Sequence, residues 1–164
     1  LVGAVRTIAS EYSAADPPHA AEYDRRATDY LAELDGLDKY CRQRAAELHE
    51  DQRVLITSHD AFHYFGRAYG FEVVGIQGIS TDTEAGLKAI TDAVDLIRSR
   101  KIRAIFPETS VPRAAIERVA KDGQCHLAPE LYSDALGAPE SSAGNYAGMI
   151  RTNIDTVVNA LHEP

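Results

Sequence analysis

Two histidines stand four residues apart in SHDAFHYFGRAYG, Ser58 to Gly70, with Asp60 directly after the first. On a helix that spacing stacks both imidazoles on one face, the arrangement with which a metalloprotease helix holds zinc. That motif also asks for Glu as base, a long helix and a third ligand further on. Here Asp60 is one methylene shorter than Glu, and His59 falls where a strand hands over to a helix. That helix closes at Gly70, within about two turns. Ser58, His59 and Asp60 form no catalytic triad either, because triad side chains converge from separate positions. His63, set between Phe62 and Tyr64, reads as a surface or half-buried helix residue. Partners for His59 must come from elsewhere in the chain.

The elements that would bring them follow from hydrophobic rhythm. LVGAVRTIASEY, Leu1 to Tyr12, is a helix ended by SAADPPH, where Pro17 and Pro18 break one helix and open the next. From about Ala20 to Leu48 the apolar residues Ala27, Tyr30, Leu34, Leu37, Cys41, Ala45 and Leu48 recur at threes and fours. This predicts one long helix in which Gly36 is tolerated. Short β-branched runs then alternate with helical patterns. RVLITS, EVVGIQGIS, RAIF and HLAPELY read as strands; DAFHYFGRAYG, the segment around Leu87, Ile90, Val94 and Ile97, PRAAIERVAKDG and NYAGMIRTNIDTVVNALHE read as helices. Thr81 and Glu84 make a capping-box pair ahead of the second of these, and Tyr146, Ile150, Ile154, Val157 and Leu161 face inward on the last. The expected fold is α/β: a four-stranded parallel sheet flanked by helices and preceded by a long connector helix.

In open parallel sheets ligands bind beyond the carboxyl ends of the strands, where loops and helix N-termini converge. RVLITS runs into His59, EVVGIQGIS ends at Ser80, RAIFP runs into Glu108, and ELYS runs into Asp134. A lone strand-end acid is usually a cap or a turn former. One histidine and two carboxylates on a shared rim are a better candidate for metal binding or proton transfer. A neutral imidazole with carboxylates suits Zn²⁺ or Mn²⁺; carboxylate favours the harder ion and the affinity order favours zinc, so both stay open.

Composition narrows the class. The 164 residues are 45% apolar and 26% charged, ordinary for one globular domain. Seventeen Lys and Arg against 25 Asp and Glu give a net charge of −8, which argues against a nucleic-acid or anionic-membrane partner. No apolar run is long enough to cross a bilayer and no signal peptide is recognisable. The opening in full helical rhythm, without Met, is expected of a processed chain or a piece of something larger. Cys41 and Cys125 fit no metal spacing and are expected to be buried free thiols; pairing would need a secreted setting and close geometry.

The segments DPPHAAEYDRRATDYLAELDGLD, LITSHDAFHYFGRAYGF, GIQGISTDTEAG, IRAIFPETSVPR, ELYSDALG and NYAGMIRTNIDTVVNAL, in this order, resemble the C-terminal half of the zinc/manganese-binding receptors of bacterial ABC importers. The resemblance implies two α/β lobes joined by a rigid helix, with the metal between them. It makes residues 1–12 a remnant helix of a missing N-terminal lobe, 18–48 the connector, and 49–164 the C-terminal metal-binding lobe. It places the second-lobe ligands on His59 and Asp134, with two histidines to be supplied by the missing lobe. Glu108 is the third metal-site candidate, either a ligand or a group orienting His59 or a bound water. The implied partners are that missing lobe and an importer permease. A homodimer of the fragment is also expected, because exposed apolar patches such as Val2, Val5 and Ile8 invite partners. The implied location is periplasmic or extracellular, with a lipid anchor in the full-length protein left open. Two departures stand out: His63 occupies a position where the family often has a small residue, and TSVPR varies the family's serine-rich run.

The reading is thus of a transport receptor with no enzymatic activity. Two others remain: a small metal-dependent hydrolase using His59, Asp134 and Glu108, the last as base, and a structural or adhesin domain that keeps the fold without transport.

Overall fold

The computed structural model describes residues 1–78 and 86–162. Among these the element order is α1 (Val2–Ala15), α2 (Ala20–Ala45), β1 (Val54–Thr57), α3 (His63–Tyr69), β2 (Glu72–Gly75), α4 (Leu87–Arg100), β3 (Ala104–Ile105), α5 (Ala114–Gly123), β4 (His126–Leu127) and α6 (Tyr146–His162). No helix among the described residues is long and apolar enough to cross a membrane. The chain divides into two compact units, Leu1–Tyr40 and Cys41–Pro164, with the boundary inside α2.

In the first unit α1 continues three residues past the expected end at Tyr12, since Ser13, Ala14 and Ala15 carry nothing that stops a helix. The break comes at the prolines, which form a 3₁₀ turn, Pro17–His19. Asp16 pins that corner: its carboxylate accepts from His19 Nδ1 and from the Tyr23 hydroxyl, both at 2.8 Å. Helix α1 buries no residue and exposes Val2, Ile8 and Tyr12, with Leu1 exposed just before it. Along α2 the expected stripe is present, with Leu34, Leu37, Cys41 and Ala45 buried and Leu48 buried just beyond the helix end.

The sheet lies in the second unit. All four residues of β1 are buried, which explains a continuous apolar run in place of alternation. Strand β1 pairs in parallel with β2, Val54 opposite Glu72 through Thr57 opposite Gly75. Strand β3 pairs in parallel with β4, Ala104 opposite His126 and Ile105 opposite Leu127. Among the described residues one parallel bridge, Thr57 to Phe106, joins the pairs, with the Phe106 N–H donating to Ile56 O at 2.9 Å. The lateral order is therefore β2-β1-β3-β4, but the expected four-stranded sheet is two pairs hinged on one bridge. Prolines shorten the strands. Pro107 and Pro129 have no N–H to donate, and pairing resumes past them at a Glu108–Leu131 bridge.

On one face Val54, Ile56 and Ile105 pack into a cluster with Val94 and Ile97 of α4 and Ile116 and Val119 of α5. Of the stripe expected on α4, Leu87 is exposed and Ile90 half-buried, while Val94 and Ile97 are core. On α6 the buried stripe is Met149, Asn153, Ile154, Val157, Val158 and Leu161, with Tyr146 exposed. Ser80 and the Thr81–Glu84 capping pair lie outside the described residues. Neither cysteine is in a disulfide; Cys41 is buried and Cys125 half-buried, and burial pushes the Cys125 thiol up to about 11.

Candidate metal centre

The loop after β1 carries His59, and close backbone packing sets its course. Thr57 Oγ1 donates to His59 O at 2.7 Å, Ala61 N–H donates to the same oxygen at 3.1 Å, and Gln77 N–H donates to Ser58 O at 2.9 Å. Gly75, at the end of β2, passes so near that a Cβ there would lie 2.8 Å from Asp60 N and 2.9 Å from His59 C. These bonds keep Asp60 to Phe62 out of the helix, so α3 starts at His63 rather than Asp60.

His59 is buried, with 4% of its side chain exposed, and sits between two carboxylates. Glu108, brought in by the β3 end, has no side-chain exposure. Its Oε1 accepts the backbone N–H of His59 at 2.9 Å, and its Oε2 lies 2.8 Å from Nδ1. That second approach has hydrogen-bond distance without its direction, and both atoms are buried lacking a well-formed bond. On the other side of the ring, Asp134 Oδ2 lies 3.4 Å from Nε2, and this side chain is 54% exposed.

Asp134 reaches the rim because the chain after β4 is anchored twice. The Leu131 N–H donates to Pro107 O at 2.8 Å and the Thr109 N–H to Leu131 O at 3.0 Å. The buried Asn153 of α6 clasps Tyr132, accepting its N–H at 3.0 Å and donating to its carbonyl at 2.7 Å. At the rim Ser110 Oγ donates to Asp134 Oδ2 at 3.1 Å and lies 2.9 Å from Ser133 Oγ. Ser110, Asn153 and Gly75 were not among the sequence candidates. Ser110 falls in TSVPR, one of the two departures; for Asn153 the available signal is a polar residue directly beside Ile154 on the last helix.

His59, Glu108 and Asp134 thus gather as the strand ends required, with the carboxylates on opposite edges of the imidazole. Among the described residues no three His, Cys, Asp or Glu side chains surround one point that could hold a metal. His63 is not part of the group. It is exposed and its Nδ1 contacts Asp60 Oδ1.

Residues 2–160 match the family of zinc-uptake complex component A, periplasmic. The chain belongs to this family. It is 41% identical over 163 residues to the manganese-binding lipoprotein MntA of Bacillus subtilis, a match covering 96% of this chain and 53% of that protein. It is 43% identical over 150 residues to the zinc-binding protein TroA of Treponema pallidum, covering 88% of this chain and 49% of that protein. The solved structure of the periplasmic zinc-binding protein TroA from Treponema pallidum superposes with a TM-score of 0.90 at 40% identity, over 95% of this chain and 58% of the TroA chain. The family fold is therefore the α/β fold seen here. The chain spans about half the length of the curated relatives it matches.

Proposed function

We propose that this chain is the C-terminal lobe of an extracytoplasmic receptor that carries Zn²⁺ or Mn²⁺ as cargo to the permease of an ABC importer, without enzymatic activity. One observation carries the reading: the Nε2 edge of the buried His59 faces a carboxylate oxygen of Asp134 across the rim. A bound ion would take the Nε2 lone pair and leave the ring proton on Nδ1, the edge that the Glu108 carboxylate faces at 2.8 Å. Nε2 and Oδ2 are 3.4 Å apart, a spacing that a cation between them would bridge. Metal–ligand bonds of about 2.0–2.2 Å at a tetrahedral centre put two donor atoms about 3.4 Å apart. In this arrangement His59 and Asp134 are ligands, and Glu108 orients His59 from behind.

The relatives' names, manganese-binding lipoprotein and zinc-binding protein, support the same cargo and a location outside the cytoplasm. A tetrahedral site wants about four protein ligands, so two come from a missing N-terminal lobe. Residues 1–12 are then its remnant helix, 18–48 the connector and 49–164 the metal-binding lobe. The exposed apolar side chains of α1 favour such a covered helix, and in the isolated chain they offer a face to a second copy. The hydrolase alternative loses support because its base, Glu108, has no side-chain exposure and is turned to Nδ1, away from the rim.

Titration calorimetry tests the proposal. The isolated chain is expected to bind Zn²⁺ and Mn²⁺ weakly, with binding lost in His59→Ala and in Asp134→Ala. Supplying the N-terminal lobe should tighten it by orders of magnitude. Tight binding by the isolated chain that survives Asp134→Ala overturns the assignment.

A further inference from the structure

We infer that Ser110 is a positioning residue for the metal site, and that it tilts the site towards zinc over manganese by fixing which oxygen of Asp134 is offered. The inference rests on the metal-site reading proposed above. Asp134 is more than half exposed, and a short carboxylate on a loop turns freely unless something holds it. Ser110 Oγ supplies the hold, donating at 3.1 Å to Oδ2, the same oxygen that lies 3.4 Å from His59 Nε2. A hydroxyl has one proton to give. With that proton committed to Asp134, the 2.9 Å contact with Ser133 makes Ser133 the donor and Ser110 the acceptor. The relay runs Ser133 to Ser110 to Asp134 and ties the loop after β3 to the loop after β4.

A carboxylate held through Oδ2 offers that oxygen first, and swinging to offer both oxygens strains or breaks the Ser110 bond. Single-oxygen coordination suits four-coordinate Zn²⁺. Mn²⁺ favours an oxygen-rich, octahedral shell and gains from a carboxylate free to swing and offer both oxygens. Ser110 therefore favours zinc by restraint as well as by orientation.

Equilibrium dialysis of this chain against Zn²⁺ and against Mn²⁺, over micromolar to millimolar metal, tests this with Ser110→Ala, Ser110→Thr and His59→Ala. Loss of a partner that orients a ligand typically costs about 10-fold or more in metal affinity. Ser110→Ala is expected to weaken Zn²⁺ by about that much and Mn²⁺ by clearly less, lowering the zinc-to-manganese ratio. Ser110→Thr, which keeps the hydroxyl, should restore the ratio. A thermal melt of each variant should be unchanged. Equal loss for both ions, or no loss in Ser110→Ala where His59→Ala abolishes binding, overturns the role of Ser110. Undiminished binding in His59→Ala overturns the metal site itself, and the inference with it.

Discussion

The two carboxylates that flank His59 lie on the same ring and in opposite worlds. Glu108 sits on the floor of the site with no side-chain exposure, bonded to the His59 backbone and lying against Nδ1. Asp134 sits on the rim, 54% exposed, facing Nε2 at a distance too long for a good hydrogen bond. Burial decides what each can do. A buried carboxylate needs its partners to exist there at all, so Glu108 is committed to holding the loop in place. An exposed one is solvated without help and stays available to an incoming ion.

The sharpest way to break this contrast is to remove each carboxylate in turn. Glu108→Ala leaves the His59 backbone N–H buried without its acceptor and opens a cavity beneath the ring. The expected cost is about 3 kcal/mol of folding stability, read from urea denaturation. Asp134→Ala should stay within about 0.5 kcal/mol, as exposed substitutions usually do. Similar costs for the two variants would erase the distinction between floor and rim.

A smaller effect sharpens the same contrast from below. The Asp134 side chain is exposed, but its loop is held by a buried group: Asn153 makes two hydrogen bonds to Tyr132, two residues ahead of Asp134. Asn153→Ala should cost about 2 kcal/mol, one for each backbone group left unpaired. It should also weaken metal binding, since a loosened loop no longer presents Asp134 to Nε2. Asn153→Asp keeps an acceptor for the Tyr132 N–H but buries a carboxylate against the Tyr132 carbonyl, so its cost should equal or exceed that of Asn153→Ala.

Much of this arrangement was legible in the sequence, for identifiable reasons. β-branched runs alternating with helical stripes gave the parallel order, and three of the four strand ends pointed to His59, Glu108 and Asp134. Strand length and the division of labour were not legible. Pro107 and Pro129 interrupt pairing, so β3 and β4 are two residues each and the sheet narrows to one bridge at Thr57 and Phe106. Glu108 and Asp134 are both strand-end acids in sequence; which edge of the imidazole each would meet depends on the β1–β3 neighbourhood and on the path of the chain past Leu131. Ser110 and Asn153 act through contacts 24 and 21 residues away in sequence, a separation at which local pattern carries no information.

The smallest expected effect belongs to His63, and it answers what the HDAFH spacing does. The i,i+4 rule stacks two histidines only if both lie on the same helix, and here α3 begins at His63. His59 stays behind in the loop, buried against Glu108, while His63 turns its Nδ1 to Asp60 and leaves 66% of its side chain exposed. A contact whose histidine side is this exposed contributes about 0–1 kcal/mol at most. His63→Ala should therefore change folding stability by roughly 0.5 kcal/mol or less and Zn²⁺ affinity by no more than about twofold, a difference near 0.4 kcal/mol. Calorimetry of His63→Ala beside His59→Ala gives the comparison directly. If the two variants lose binding equally, the loop must refold on metal binding to bring both imidazoles to one ion. The floor at Glu108 would then be a resting arrangement, and HDAFH a self-contained metal motif after all.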